Sequence, residues 1–246
     1  MRKTIGIIGG MTHESTIVYY DHIHQAYRAR YNDLDYPPIV IYSVPFGDCR
    51  RWTEQEAWAE AGAALGEAAR RLHAAGADFA LIATNTMHIA FDTAQAASPV
   101  PLVHIIDVTA EAVLARKSTT VGLLGTRITM QHPFYRQRLA VHGLTTLTPS
   151  LDSQGEVNRI IYEELTYGCI RPESKAVYLD IIGELETRGA QGVILGCTEI
   201  PLLIQQGDCA LPLFDTTRLH AEAALEAALG ERALQGGGWR EERIWK

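Results

Sequence analysis

Two residues in this chain stand where types and spacing suggest chemistry, Cys197 and Thr84. Cys197 lies in the stretch Gly189 to Ile200 (GAQGVILGCTEI), and Thr84 in Gly76 to His88 (GADFALIATNTMH). A shift of 113 brings Gly76 onto Gly189, Ala77 onto Ala190, Leu81 onto Ile194 and Thr84 onto Cys197. Each phrase reads as a short buried strand that ends at the residue in question, with a helix expected soon after. The carboxyl ends of strands are where open α/β sheets bind ligands. A thiol at a helix start sits in a positive field that lowers its pKa, which predicts a partly ionised Cys197. A thiolate facing an α-carbon is a general base, and as a thiol it returns the proton. The expected chemistry is therefore removal of a proton from a carbon acid held between the two strand ends. Enolate donors and exclusion of water would supply much of the rest. N–H groups and side chains of Asn85, Thr86, Thr198 and the Gly10-Met11 turn would bind a substrate carboxylate. No lysine stands in a context that suggests a Schiff base, so the chemistry is expected to need no cofactor.

The elements that must position these residues can be read in order. Thr4 to Ile8 is a first strand, followed by Gly9-Gly10-Met11 and a helix from about His13 to Arg28 capped by Thr12. The turn is not GxGxxG, so a dinucleotide is not indicated. Ile39 to Val44 reads as a second strand and Pro45-Phe46-Gly47 as a turn. Thr53 with Glu56 suggests a capping box for a long alanine-rich helix that ends at Gly76. Phe79 to Ala83 and Leu102 to Ile106 are the third and fourth strands, with Asp107-Val108-Thr109 opening a helix. Strand and helix alternate, which predicts a parallel sheet wound by crossovers.

The text then starts again. Thr120 to Gly125 repeats Thr4 to Gly9 at an offset of 116, Tyr135 falls on Tyr19, and Ile128, one short of Thr129, falls on Thr12. A strand near Leu144 to Leu147 follows, then a helix from Ser153 to about Thr166 with a Ser153/Glu156 capping box. Another helix runs from Pro172 to Arg188, and a last strand from Leu211 to Phe214. Asp215-Thr216-Thr217 opens the final helix and echoes Asp107-Val108-Thr109 at an offset of 108. The tail with Gly236-Gly237-Gly238 is expected to be flexible. The fold class expected is α/β, with two similar Rossmann-like or flavodoxin-like domains related by an approximate two-fold axis and a site in the cleft between them. The first domain spans residues 1–112, joined by the C-terminal helix 216–234, and the second spans 113–215.

The bulk of the sequence narrows the partners. Its 246 residues are 47% hydrophobic, enough for one large core or two of about 110 to 120 residues. The net charge is −7 with Lys and Arg scattered, which argues against nucleic acid or an anionic membrane surface. No apolar run approaches the roughly 20 residues of a membrane span. The basic and then apolar start is broken by glycines and reads as a strand, not a signal peptide. Cys49, Cys169, Cys197 and Cys209 show no metal-ligand spacing, so free thiols in the cytoplasm are expected and no metal. Cys49, Cys169 and Cys209 are read as structural, and His13 is given no role.

Several motifs resemble one known family. Gly9-Gly10-Met11 with Glu14-Ser15-Thr16, Asn85-Thr86 with His88, and Gly196-Cys197-Thr198-Glu199-Ile200-Pro201-Leu202 are similar to those of the aspartate/glutamate racemases, over roughly Thr4 to Leu229. Glu199 after Cys-Thr points to the aspartate-racemase branch, since His usually stands there in the glutamate racemases of wall synthesis. The resemblance implies two α/β domains, racemisation without a cofactor, frequent dimerisation and a facing pair of cysteines. Here the first-half cysteine is Thr84. A hydroxyl is far less acidic than a thiol, so Thr84 would donate or relay a proton, with His88 as assistant or as a packed histidine. Similar members with threonine at this place act on aspartate and glutamate with a strong preference for the L form, which is the reading adopted. For the substrate's second carboxylate the family implies Arg50 or Arg51, and Thr198 and Glu199 join the expected binding set. A Lys-Gly pair of the family is replaced by Tyr167-Gly168, with Arg171 close by, which leaves a broader racemase open. Rival readings are a single-cysteine decarboxylase of disubstituted malonates, a maleate isomerase or hydantoin racemase, and a non-catalytic amino-acid-binding protein.

Overall fold

The computed structural model describes residues 2–31 and 33–234; the Gly236-Gly237-Gly238 tail lies outside them. The chain forms two compact units, one made of residues through Ile105 and from His220 onward, the other of Ile106–Leu219. The units thus change over a few residues from the junctions at 112/113 and 215/216 read from the sequence.

The first unit carries β1 (Ile5–Gly9), α1 (His13–Arg30), β2 (Ile39–Ser43), α2 (Phe46–Glu54), α3 (Trp58–Ala74), β3 (Phe79–Ile82), α4 (Phe91–Ala97) and β4 (Leu102–Val103). Its sheet is parallel in the order β2-β1-β3-β4. The central strands β1 and β3 are buried at every position, which is why they read as unbroken apolar runs: helices cover both faces of a parallel sheet. The edge strand β2 is only partly buried. The alanine-rich α3 lies so close to α4 that a Cβ at Gly62 would come within 2.5 Å of Thr93 Cβ, and one at Gly66 within 2.5 Å of Ala97 Cβ. Small residues are needed where the two helices touch.

The second unit opens with α5 (Ile105–Ala115) and runs β5 (Thr120–Gly125), α6 (Arg127–Gln131), α7 (Pro133–Val141), β6 (Thr145–Leu147), α8 (Leu151–Glu163), α9 (Pro172–Thr187), β7 (Val193–Gly196) and β8 (Leu213–Asp215), after which α10 (Thr216–Leu229) passes back into the first unit. Its sheet is again parallel, in the order β6-β5-β7-β8. Strand order, direction and the break between the first and third strands are the same as in the first unit, which is how the repeated phrases express themselves.

Several local expectations are corrected. Pro45-Phe46-Gly47 does not form a free turn, because Pro45 is the N-cap of α2. Thr53 sits inside that helix with its hydroxyl donating to Cys49 O (2.8 Å), and Glu56 has a φ of 51°, so the two form no capping box for α3. Ser150, not Ser153, caps α8 by accepting from the Ser153 N–H. The fourth strand stops at Val103, and α5 already begins at Ile105. Asp107 lies within α5, where its carboxylate accepts from Arg138 (2.6 and 2.6 Å) and His142 (2.9 Å). Asp215 does cap its helix, accepting from the N–H groups of Thr217 and Arg218. The echo of Thr12 is Thr126: each is an N-cap accepting from the N–H three residues on, Ser15 and Thr129 respectively. The first turn is therefore two residues longer than the second, and the extra pair is Gly10-Met11.

A buried polar contact ties α10 into the first unit. Tyr19 O–H donates to His220 Nδ1 (2.8 Å), and His220 Nε2 donates to Val103 O (2.9 Å). Burial holds the His220 pKa down at about 4, from an ordinary 6.5. The unfolded chain therefore binds a proton that the folded chain refuses between those values. Stability is fully present above pH 6.5 and falls as the pH drops toward 4, by on the order of 3 kcal/mol from this residue. Thermal melts of the wild type and of His220→Gln between pH 4 and 7 are expected to show a steeper pH dependence in the wild type; equal slopes would remove His220 as the source.

Candidate active site

Each sheet reverses its strand order between its first and third strands, the place at which parallel sheets receive ligands beyond their carboxyl ends. In the first unit Ile8 pairs with Ile82, and in the second Leu124 pairs with Leu195. Two residues beyond Ile82 stands Thr84, and two beyond Leu195 stands Cys197. The registers thus set the hydroxyl and the thiol at equivalent places in the two sheets.

In the first unit the turn after β1 is built on Gly10, whose φ of +85° is a conformation L side chains rarely adopt. Its N–H donates to Thr16 Oγ1 (2.8 Å), and that hydroxyl donates to Thr12 O (3.0 Å). Met11 is buried in the hydrophobic core. Thr84 is half-buried, and among the described residues its hydroxyl makes no hydrogen bond. Asn85 is buried and Thr86 half-buried where the 3-10 turn Thr86–Ala90 begins; Asn85 makes no side-chain cap to it. His88 does not relay protons to the Thr84 hydroxyl. Its Nε2 accepts from the Ile105 N–H (3.2 Å), so Nδ1 carries the proton and donates to the Thr84 backbone carbonyl (2.7 Å). The ring fixes the backbone at Thr84 and leaves its side chain alone.

Arg50 and Arg51 both lie on α2, which follows β2. Arg50 is exposed and paired with Glu54 at 3.1 Å. Arg51 makes a forked pair with Glu60 (2.8 and 3.0 Å) and reaches Asp48 at 3.5 Å.

In the second unit Cys197 follows β7 and is buried, its thiol donating to Glu199 Oε2 (2.9 Å). Thr198 Oγ1 donates to the same oxygen (2.7 Å). No long helix follows, only the 3-10 turn Ile200–Leu202. The expectation of a partly ionised thiol is corrected accordingly. Burial first, and then the Glu199 carboxylate beside it, push the Cys197 pKa well up, against the backbone amides of Glu199 and Thr198, which pull it down. The resting group is a thiol. Arg171 is exposed at the N-cap of α9, 4.0 Å from Glu164, and Tyr167 is exposed. The contact of Glu199 with the sulfur was not legible from the sequence, although the i, i+2 spacing across a tight turn was its only available sign. Among the described residues no group of His, Cys, Asp and Glu is arranged to hold a metal ion.

Two parallel α/β units, each presenting a proton-bearing side chain at the end of its third strand, define a two-unit α/β enzyme. The chain belongs to the Asp/Glu/hydantoin racemase family, whose pattern matches residues 8–224. Racemases are isomerases, and this chain is one of that class. It is 26% identical over 231 residues to the broad specificity amino-acid racemase RacX of Bacillus subtilis (strain 168), covering 92% of this chain and 98% of that one. A proposed Asp/Glu racemase from Yersinia pestis shares 44% identity with a TM-score of 0.87, over 92% of this chain and 99% of the other. An aspartate racemase homologue from Pyrococcus horikoshii OT3 shares 40% identity with a TM-score of 0.83, over the same shares. No described helix is long and apolar enough to cross a membrane.

Proposed function

We propose that the chain is a cofactor-independent amino-acid racemase that interconverts L- and D-aspartate or glutamate, with Cys197 and Thr84 acting on opposite faces of the α-carbon. The observation that carries the reading is the common register of the two sheets, which gives the thiol and the hydroxyl equivalent strand-end positions. With an L substrate, Cys197 first loses its thiol proton to water, and the thiolate then takes the α-proton as the C–H electron pair moves into the α-carboxylate. The Thr84 hydroxyl gives its proton to the other face, the O–H electron pair staying on oxygen until water restores the proton. Asn85, Thr86, Thr198 and the Gly10-Met11 turn bind the α-carboxylate, and Arg50 or Arg51 the distal one. Starting from a D substrate, Thr84 must act as the base, for which a hydroxyl is poorly suited. The two enantiomers have equal free energy, so kcat/KM must be the same in both directions. The preference for L therefore appears in kcat and KM separately, and as deuterium entering L substrate faster than the configuration inverts.

Incubating each enantiomer of aspartate and glutamate in D2O and following the α-proton by NMR tests the reading. Exchange with inversion supports it. Exchange of the L form without inversion leaves one working base and removes Thr84, and no exchange with any of the four favours the decarboxylase or the binding protein. Thr84→Cys is expected to raise kcat for the D substrate about tenfold or more, since a thiol is the better base. Unchanged D kinetics would take Thr84 out of the mechanism.

A broader substrate range is the second reading, because Arg51 is already engaged by Glu60 and Asp48 and Tyr167 replaces a lysine implied by the family. The same exchange assay with neutral amino acids decides between them. We place the chain in the cytoplasm, where the free thiols of Cys49, Cys169, Cys197 and Cys209 would persist. The family resemblance suggests a homodimer, which sedimentation at several concentrations would test.

A further inference from the structure

We propose that His88 is a positioning residue that aims the Thr84 hydroxyl through the main chain. The kinetic consequence rests on the racemase reading above; the tie between ring and backbone does not.

Thr84 stands just past the sheet. The pairing with β1 ends where Ala83 N–H donates to Ile8 O (2.9 Å), and the Thr84 N–H turns back onto Ile82 O (2.8 Å). The Thr84 carbonyl is taken by His88 Nδ1–H at 2.7 Å. A residue whose N–H and C=O are both committed has φ and ψ fixed, and with them the direction of its Cα–Cβ bond. The branched Cβ of threonine then leaves the hydroxyl few rotamers. The hydroxyl itself, half-buried, has no hydrogen bond among the described residues to aim it. Its direction comes from the backbone, and the far end of that backbone is held by His88.

The ring is itself held on several sides. His88 is buried, and its Nε2 accepts from the N–H of Ile105 (3.2 Å), the first residue of α5. It stacks on Phe91 (5.6 Å between ring centres, 11° between planes) and lies against His104 (4.8 Å) and His220 (5.8 Å). Turned over by a half-rotation, the ring would put carbons where both nitrogens now stand and lose both bonds. Only the neutral tautomer with its proton on Nδ1 makes the pair, since a charged ring has no acceptor. The second unit is built differently. A shift of 113 brings His88 onto Pro201, and the Cys197 carbonyl accepts from a backbone N–H, that of Ile200 at 3.3 Å. The unit that carries the weaker acid thus carries the extra constraint. A hydroxyl that holds its proton tightly needs an accurate approach to the carbanion, and a misplacement of about 1 Å costs about 100-fold.

Two substitutions separate the two bonds of the ring. His88→Asn keeps an N–H at the place of Nδ1 and loses the acceptor for Ile105. His88→Gln keeps an acceptor at the place of Nε2 and loses the donor to Thr84 O. Each removes one buried hydrogen bond, so each is the other's control for lost stability. With saturating L-aspartate in D2O, inversion is expected to fall about 100-fold in His88→Gln and by no more than about fivefold in His88→Asn. Deuterium entry into the L form, which needs Cys197 alone, is expected to stay within about threefold of the wild type in both. Equal inversion rates in the two variants, or a loss of exchange as large as the loss of inversion, would overturn the positioning role. The nitrogen-15 spectrum of wild-type His88 needs neither variant nor substrate. It is expected to show a protonated Nδ1 and a bare Nε2 at neutral pH, and the opposite tautomer refutes the tie. Should either variant fail to fold, that spectrum decides. A wild type that exchanges no α-proton sinks the racemase reading and leaves the spectrum to judge the ring.

Discussion

Cys197→Ser is expected to abolish α-proton exchange, with kcat down by about 10^3- to 10^4-fold for both enantiomers. A serine hydroxyl can still donate to Glu199 Oε2 as the thiol does at 2.9 Å, so the turn and the fold are kept. What is lost is an atom able to hold the negative charge between the two proton transfers. The sulfur is buried beside the core of the second unit, and a hydroxyl there is much harder to ionise than a thiol. Substrate affinity is expected to change little, because the groups assigned to the carboxylates are untouched. Isothermal titration with L-aspartate alongside the D2O exchange assay separates the two. Retained exchange in the serine variant would show that the α-proton goes elsewhere.

Gly10→Ala is expected to lower stability by about 3 kcal/mol or more, through strain and overlap acting together. The residue has a φ of +85°, and a Cβ there would lie 2.3 Å from Val44 O and 2.8 Å from Val44 N. Both are backbone atoms. Val44 cannot step aside without breaking its N–H bond to Gly9 O (2.9 Å), which closes the pairing of β1 with β2. At a few degrees per kcal/mol for a chain of this size, the melting transition of the first unit should fall by about 10 °C. Gly47→Ala is the control. It lies in α2 with no atom within 4 Å of the added Cβ, so alanine there is expected to be neutral or to stabilise by up to about 1 kcal/mol. A calorimetric scan of both variants checks the contrast, and a Gly10→Ala melt equal to the wild type would show that the turn yields.

How far such features were legible depended on whether a residue's neighbours were close in sequence. The central strands β1, β3, β5 and β7 announced themselves, because burial on both faces leaves only apolar side chains, whatever the topology around them. The repeated phrases then fixed the equivalence of Thr84 and Cys197, which the strand registers carry into three dimensions. Caps were less legible. Thr53 and Ser153 each head a sequence that fits a capping box, yet one lies inside α2 and the other one turn into α8. The competing cap, Ser150, carries the same side chain three residues earlier, and only the chain's path chooses between them. The short α4 escaped notice because its seven residues make sense only against the small residues of α3.

For this protein the sequence by itself determined the two similar parallel α/β halves and the pair of residues placed at the ends of their third strands. Those follow from hydrophobic runs and from repetition, both properties of the chain read along its length. The tertiary structure alone decided the state of the groups at those ends: a thiol held protonated by burial and by Glu199, a histidine turned to a backbone carbonyl, an arginine already forked onto Glu60. Protonation and pairing depend on distances of a few ångströms and on exclusion of water, and the order of residues along a chain encodes neither until it folds.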